Sequence, residues 1–255
     1  MAIESFSRRR LMLGAGAALA LGGCDRVADS KAGQSVLESV ETLTLRAERG
    51  AMGAALAPEY AAADISPVFK PNGSTNPEDE DYQALAAQGF AGWRLEVGGL
   101  VERPQRLSLS DLRALPFRTQ ITRHDCVEGW SCIGRWTGAR LSAVLDAAGV
   151  QPAARYVVFR CADALDATLD GSGIYYESID MVDARHEQTI LAYEMNGMAL
   201  PIAHGAPLRL RVERQLGYKQ AKYIMKIELV DSFADIGRGR GSFWADRGYE
   251  WYAGI

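Results

Sequence analysis

Short stretches with a two-residue hydrophobic period constrain the fold of this chain more than any other feature. Trp93, Leu95 and Val97 alternate with Arg94 and Glu96 and stop at Gly98-Gly99, the pattern of a half-buried strand ended by a turn. The alternation returns over residues 117–125, with Phe117, Thr119 and Ile121 on one side. Tyr156 to Phe159 reads as a buried strand, and Thr189 to Met195, Leu208 to Val212 and Tyr223 to Val230 read as three more. Asn196-Gly197 suits a tight type I′ turn. Helices are few and short. Ser110 is expected to cap one that carries Leu112 and Leu115 and is closed by Pro116. Thr137 is expected to cap another from Gly138 to Ala148, with Leu141, Val144, Leu145 and Ala148 as its stripe and Gly149 at its C-terminal end. Many strands with few helices predict a mixed α+β domain, and no internal repeat is visible.

The 255 residues allow one or two domains. Residues 1–24 have the form of an export signal: Ser7-Arg8-Arg9-Arg10-Leu11-Met12 opens an uncharged stretch from Leu11 to Leu21 that ends at Gly22-Gly23-Cys24. The arginines beside a hydroxyl residue resemble a twin-arginine signal, and Leu21-Gly22-Gly23-Cys24 resembles a lipobox, which makes Cys24 an expected lipidated N-terminus. That implies a periplasmic protein held at the inner membrane by its lipid, since no apolar run approaches the roughly 20 residues that span a bilayer. Twin-arginine export carries folded proteins and therefore suits a chain that takes up a complicated cofactor before export. Residues 25–60 read as a tether, with one amphipathic stretch near Val36, Leu37, Val40 and Leu43. Proline, glycine and asparagine from Pro58 to Pro77 indicate an extended path. Residues 61–232 form the main domain. In the tail, 233–255, the aromatics Phe233, Phe243, Trp244, Tyr249, Trp251 and Tyr252 would be costly to leave in water and are expected to pack on the domain.

The formal charge is −4, and without residues 1–23 there remain 25 basic against 31 acidic residues. That balance argues against nucleic acid as a partner, which calls for a basic face. Beyond Cys24 the cysteines are Cys126, Cys132 and Cys161. Three cannot all pair within one chain, and no Cys-x-x-Cys occurs to suggest a zinc knuckle or a thioredoxin-like site. Cys126 lies at an expected strand end in Arg123-His124-Asp125-Cys126-Val127-Glu128-Gly129-Trp130-Ser131. Its surroundings allow a nucleophilic thiolate helped by His124, a soft ligand for a thiophilic metal, or a plain buried cysteine. Downstream, Leu200 to Arg211 and Leu216 to Ile224 gather Arg209, Lys219 and Lys222 around a glycine-permitted loop. These fit a phosphate cradle or a solvated basic edge.

Cys126-Val127-Glu128-Gly129-Trp130-Ser131, His204-Gly205-Ala206-Pro207-Leu208-Arg209, and Gly217-Tyr218-Lys219 with Lys222 together resemble the molybdopterin-binding domain of the sulfite oxidase family. The likeness covers roughly Ser66 to Asp231 and is nearest the bacterial branch that includes the periplasmic methionine-sulfoxide reductase catalytic subunit. It implies a sulfite-oxidase-type fold and a molybdenum-molybdopterin cofactor. It makes Cys126 the thiolate on molybdenum and sets Asn72 and Gly73 against the pterin. Cys161 stands where relatives place a threonine that contacts the cofactor. His204 stands where the reductase branch has an asparagine, and either side chain can hydrogen-bond the pterin. Arg209, Gln220, Ala221 and Lys222 match positions that hold the cofactor's phosphate, with Lys219 close by.

By the same resemblance Glu128 is expected near the metal, able to accept or return a proton, with a surface pairing to Arg135 as its plainer role. His124 is expected to tune the thiolate or to be structural. Trp130, Arg135, Trp136 and Tyr176 are candidates for the mouth of the site or for the core. Sulfite oxidases have arginine-rich sequence after the ligand cysteine, whereas Val127-Glu128-Gly129-Trp130 disfavours a dianion, so reduction of a small S-oxide or N-oxide is expected over sulfite oxidation. No Cys-x-x-Cys-His haem motif occurs, so electrons are expected from a separate haem or cytochrome partner. Two rivals remain: a thiol-based redox protein using Cys126 and Cys132, and a non-catalytic lipoprotein that binds a partner through its aromatic tail.

Overall fold

The computed structural model describes residues 30, 39–40, 43–50, 55–168, 171 and 173–255. The export signal and lipobox at 1–24 lie outside the described residues, as do Val36 and Leu37 of the amphipathic stretch. The chain divides into two units, Met1–Gly53 and Ala54–Ile255. In the first, residues 39–40 and 43–50 are helical. Among the described residues no helix is long and apolar enough to cross a membrane.

The second unit is built on two mixed-length sheets. One has the strand order β2-β1-β10-β5-β6, from β1 (Leu95–Gly99), β2 (Gln105–Leu107), β5 (Tyr156–Ala164), β6 (Ile174–Asp180) and β10 (Ile224–Val230). Only the β1–β10 pairing is parallel. The other runs β3-β4-β7-β8, from β3 (Phe117–Cys126), β4 (Trp130–Arg140), β7 (Ile190–Met195) and β8 (Met198–Ala199), with β9 (Arg209–Arg211) also on β7. Helices α1 (Glu80–Ala87), α2 (Leu109–Ala114), α3 (Leu141–Ala148) and α4 (Met181–Ala184) are short. A core of α3, β5, β10 and the buried side of β7 and β9 joins Leu141, Val144, Leu145, Val157, Phe159, Leu191, Leu210 and Ile227. Each such side chain stabilises the fold by about 1.5–3 kcal/mol relative to exposure.

The helix boundaries differ from the sequence expectation for local reasons. Ser108, not Ser110, caps α2: its hydroxyl accepts from Asp111 N–H at 3.1 Å while the Asp111 carboxylate accepts from Ser108 N–H at 2.8 Å, a capping box that satisfies donors at the helix start. Leu115 is extended before Pro116, as the proline demands. Helix α3 starts at Leu141, because Thr137 and Gly138 belong to β4. Thr137 pairs with Thr119 across the hairpin, hydroxyl to hydroxyl at 2.9 Å. Gly138 lies so close to β7 that a Cβ there would sit 2.2 Å from the Leu191 carbonyl oxygen. Helix α3 ends at Gly149, whose φ of 68° carries the left-handed cap. Asn196 and Gly197, at φ 52° and 82°, turn β7 into β8, as a type I′ hairpin requires. Strands β2, β4, β6 and β8 had no expected counterpart.

Candidate active site

Strand β3 delivers the site. Its buried side is not Phe117, Thr119 and Ile121, since Phe117 is 57% exposed. The inward face is the polar set Gln120, Thr122, His124 and Cys126. Such a face calls for partners, and a buried ion pair bonds Gln120, Thr122 and His124, leaving Gln120 Oε1 and His124 Nε2 without one. Arg211 donates from Nε to Glu213 Oε1 at 2.9 Å and from Nη2 to Oε2 at 2.5 Å, and it lies over Trp136 at 4.5 Å. Gln120 Nε2 donates to Glu213 Oε1 at 2.8 Å, and Arg211 Nη2 donates to Thr122 Oγ1 at 3.4 Å.

His124 is fixed in the same network. Arg211 Nη1 donates to its Nδ1 at 3.0 Å, and a guanidinium cannot accept, so the proton sits on Nε2. In that tautomer the 3.4 Å approach of Gln220 Oε1 to Nδ1 is not a hydrogen bond. Burial, then the charge of Arg211, hold the imidazole well below its ordinary pKa, and His124 stays neutral. Gly217 packs against the ring: a Cβ there would lie 2.5 Å from Nε2.

Cys126 ends the strand, and Val127-Glu128-Gly129 turns the chain into β4 with Gly129 at φ 84°, a three-residue hairpin loop with glycine in the left-handed position. The cysteine faces a cavity of about 320 Å³ whose walls include Asn72, Gly73, Glu128, Gln220 and Lys222. Burial raises its thiol pKa, with the Glu128 backbone N–H partly offsetting this. A neutral His124 whose acceptor nitrogen is already taken offers no base, and a reactive thiolate needs a lowered pKa. Cys132 pairs in register with His124 and Cys126 with Trp130, so the two cysteines sit diagonally, about 7–8 Å apart and past ordinary disulfide reach. Cys132 Sγ donates instead to Val68 O at 3.7 Å. The geometry therefore speaks against thiol-based redox chemistry.

Deeper in, two buried cations carry no carboxylate partner among the described residues. Lys222 Nζ donates to the carbonyls of Asn72 at 2.6 Å, Ala203 at 3.4 Å and Ser74. Arg209, 1% exposed, donates from Nη1 to His204 O at 3.0 Å, while its Nε and Nη2 have no partner. Gly205, at φ 109°, lets their stems converge: a Cβ there would stand 2.9 Å from Lys222 Cβ and 3.2 Å from Arg209 Cβ. Burial, then the Arg211 charge, lower the Arg209 pKa to about 9, and burial, then Arg209, lower Lys222 to about 7. His204, edge-on to Phe69, is lowered to about 4, first by burial and then by the same two cations. The nearby acid Asp163 is raised by burial to about 6, and its Oδ1 has no partner.

This arrangement fits a molybdopterin. Unpartnered guanidinium N–H groups and a carbonyl-bound ammonium await an anion such as its phosphate, and a thiol on the same cavity is a donor for a soft metal. No group of three or more His, Cys, Asp or Glu side chains among the described residues could hold a metal, so a metal at Cys126 would draw its other donors from its cofactor.

The structure assembles some expected residues and redirects others. Asn72, Gly73, Cys126, Glu128, Gln220 and Lys222 share the cavity, and Arg209 and His204 lie behind it at Gly205. Lys219 is corrected to a structural residue: fully buried, it ion-pairs with Glu177 and donates to Ser178 O at 2.9 Å. Cys161 points to Phe159 O at 3.9 Å and lines a separate cavity with Tyr176, Asp246 and Arg247, not that of Cys126. Ala221 is buried, its carbonyl accepting from Leu210 N–H at 2.8 Å. Glu128 pairs with Lys70 at 3.4 Å, not Arg135, and accepts from Trp130 Nε1 at 2.9 Å. Both contacts, Trp130 first, lower its pKa and keep it ionised.

Of the expected mouth residues none is a wall. Trp136 is fully buried beneath Arg209 and Arg211, Tyr176 bonds Asp246, Arg135 N–H bonds Asn196, and Trp130 braces Glu128 from behind. The aromatic walls are Tyr175, Tyr218, Trp244 and Tyr249. Tyr175 was hidden because β6 had no recognisable period, and the tail aromatics signalled packing without saying against what.

The family described as the oxidoreductase molybdopterin binding domain matches this chain over residues 83–235. A putative protein-methionine-sulfoxide reductase subunit of Azospira oryzae is 39% identical over 78% of this chain and 68% of its own length. Two protein-methionine-sulfoxide reductase catalytic subunits are also similar: that of Campylobacter jejuni is 34% identical over 59% of this chain and 54% of its own, and that of Ralstonia nicotianae is 32% identical over 72% and 62%. The chain thus spans between about half and two thirds of the length of these relatives. A solved structure, the sulfane dehydrogenase SoxCD of Paracoccus pantotrophus, aligns over 55% of this chain and 38% of its own with a TM-score of 0.47 and 25% identity.

Proposed function

The chain belongs to the oxidoreductase molybdopterin binding domain family, and from that membership we propose that it is a molybdenum-cofactor reductase of small S-oxides, exported to the periplasm and supplied with electrons by a separate haem or cytochrome partner. The fold is the mixed α+β fold of that family. The observation that carries the proposal is that Cys126 and Lys222, far apart in the sequence, line one cavity, with Arg209, whose Nε and Nη2 have no partner, beside Lys222.

When bound, the molybdenum cofactor supplies two-electron oxygen-atom transfer. The chain's residues do the rest. Cys126 offers the soft donor, its thiol pKa raised by burial in the cofactor-free protein, and a bound metal would favour its thiolate. Arg209 and Lys222 hold the phosphate, and Asn72 and Gly73 flank the pterin. The ionised Glu128, held by Trp130 and Lys70, puts negative charge on the cavity wall and repels an anion such as sulfite. A neutral S-oxide meets no such barrier. The overall reaction breaks the sulfur–oxygen bond, consumes two electrons and two protons, and yields a thioether and water.

Relatives named as methionine-sulfoxide reductase subunits support the S-oxide class. The word subunit in those names supports a division of labour in which another protein brings the electrons. The arginines and lipobox at 1–24 support export, with lipidated Cys24 as the membrane contact.

The test is metal analysis of protein matured in a host that makes the cofactor, with S-oxides, N-oxides and sulfite screened using a reduced viologen as donor and a ferric acceptor. About one molybdenum per chain and S-oxide turnover are expected. Cys126→Ser should keep the fold and lose turnover by at least a hundredfold, and full activity in that variant refutes the assignment.

A further inference from the structure

The family match ends at residue 235, yet the cavity that holds Cys126 is closed partly by two side chains beyond it, Trp244 and Tyr249. Their rings stand 5.1 Å apart, and Tyr249 meets Tyr218, another wall residue, at 5.4 Å in an edge-on contact. The three rings make one continuous aromatic surface. Tyr249 is 41% exposed, so part of that surface faces solvent at the cavity.

This segment is fastened, not draped. Asp246 accepts from the Tyr176 hydroxyl at 2.5 Å and from the backbone N–H groups of Arg238 at 2.9 Å and Arg240 at 3.2 Å. Arg247 pairs with Asp166 at 2.7 Å, and Phe243 is buried. Further on, Trp251 Nε1 donates to Ser178 Oγ at 2.8 Å, and Leu216 N–H donates to Ala253 O at 2.9 Å. The Tyr218 hydroxyl reaches Glu250 O at 2.8 Å and ties the domain's own wall residue to the tail. Rings held this way lose little entropy when a ligand binds, so their contacts convert to affinity.

We propose that Trp244 and Tyr249 are specificity-determining residues that select an S-oxide bearing an apolar arm over one bearing only methyl groups. The inference rests on the reductase reading and names the substrate class for it. Aromatic faces attract polarisable sulfur and apolar surface, and their negative quadrupole adds to Glu128 in disfavouring anions. The anion-binding groups of that reading, Lys222 and Arg209, are taken up by the cofactor's phosphate. The remaining walls are Ser74, Val127, Asp163, Leu165, Tyr175 and Gly217, so an apolar arm has Val127, Leu165 and Tyr175 as further partners beside the aromatic rings.

The test uses the full chain loaded with its cofactor and two substrates, methyl phenyl sulfoxide and dimethyl sulfoxide, together with calorimetric binding of methyl phenyl sulfone, which resembles the first but is not turned over. In Tyr249→Leu the ratio of kcat/KM between the aryl and dimethyl substrates should fall about tenfold and the Kd of the sulfone should rise about tenfold, with molybdenum content unchanged. Trp244→Leu should move both in the same direction. Tyr249→Phe, which keeps the ring, should restore the discrimination. The proposal is overturned if neither leucine variant shifts the sulfone Kd, or if both substrates fall together so that the ratio holds. Should the wild type bind the sulfone and reduce no S-oxide, the reductase reading fails while the sulfone titrations still decide the role of the wall.

Discussion

Lys219 and Lys222 stand three residues apart, both out of water, and their surroundings differ in one respect. Lys219 meets a carboxylate: Glu177 pairs with it, Ser178 O accepts from it, and Trp251 lies 5.1 Å beneath it. Lys222 bonds carbonyl oxygens and lies 5.0 Å over the Tyr223 ring, with the second cation Arg209 and the carboxyl of Asp163 nearby but no salt bridge. A buried charge without a counter-ion is expensive, and a fold retains one when something else completes it. The Glu177–Lys219 pair is complete and structural. The Arg209–Lys222 pair lacks such a counter-ion, which the phosphate of the proposed cofactor would supply, and burial lowers the pKa of both.

The largest effect expected from that difference is on stability. Lys219→Met leaves Glu177 buried and unpaired and should destabilise the cofactor-free protein by about 3–5 kcal/mol in chemical denaturation. Adding Glu177→Leu should recover most of the loss, because removing both partners is far less costly than removing one. Lys222→Met should behave in the opposite way: the cofactor-free protein keeps or gains stability, while retained molybdenum and pterin drop about tenfold or more after export and purification. If both variants lose stability alike, the distinction between the two lysines is wrong.

How much of this could be read beforehand depended on whether a residue's role was local. The strands near 93–97, 156–159 and 223–230 were legible because their burial follows from a run of neighbours, although the first runs from Leu95 through the Gly98-Gly99 pair expected to end it. Strand β3 was legible as a strand but not in its facing: Phe117 and Ile121 look like the core side, and only the distant Arg211–Glu213 pair makes Gln120, Thr122 and His124 the buried one. Helix α3 begins later than its periodicity suggests, and nothing local in the sequence reveals that Gly138 touches the β7 backbone. Cys126 and Lys222 were found through contiguous motifs. Lys219 sits in the same motif and was misassigned, since its partner Glu177 lies 42 residues away on a strand with no alternation. Trp244 and Tyr249 were visible as aromatics to be packed, but their position against Cys126 is a tertiary fact.

The smallest effect sharpens the comparison through pH. Lys222 has a pKa of about 7 in the folded, cofactor-free protein against an ordinary value of 10.5. Between those values the unfolded chain binds more protons at this residue than the folded one, so stability rises as pH climbs from 7 towards 10.5. Asp163 has the opposite sign and a lower window: raised from 3.8 to about 6, it favours folding most at acid pH and loses that contribution as pH rises through 6. Above pH 7 only the lysine of the two still titrates. Cofactor-free wild type should therefore gain about 1–2 kcal/mol more than Lys222→Met between pH 7 and 9 in urea denaturation. A bound phosphate dianion stabilises the charged ammonium and raises its pKa back towards the ordinary value, so cofactor-loaded protein should show a shallower rise than the cofactor-free form. Equal slopes in wild type and Lys222→Met would mean that Lys222 is already neutralised by a protein group, and that Asp163, the one nearby acid, is its structural counterpart after all.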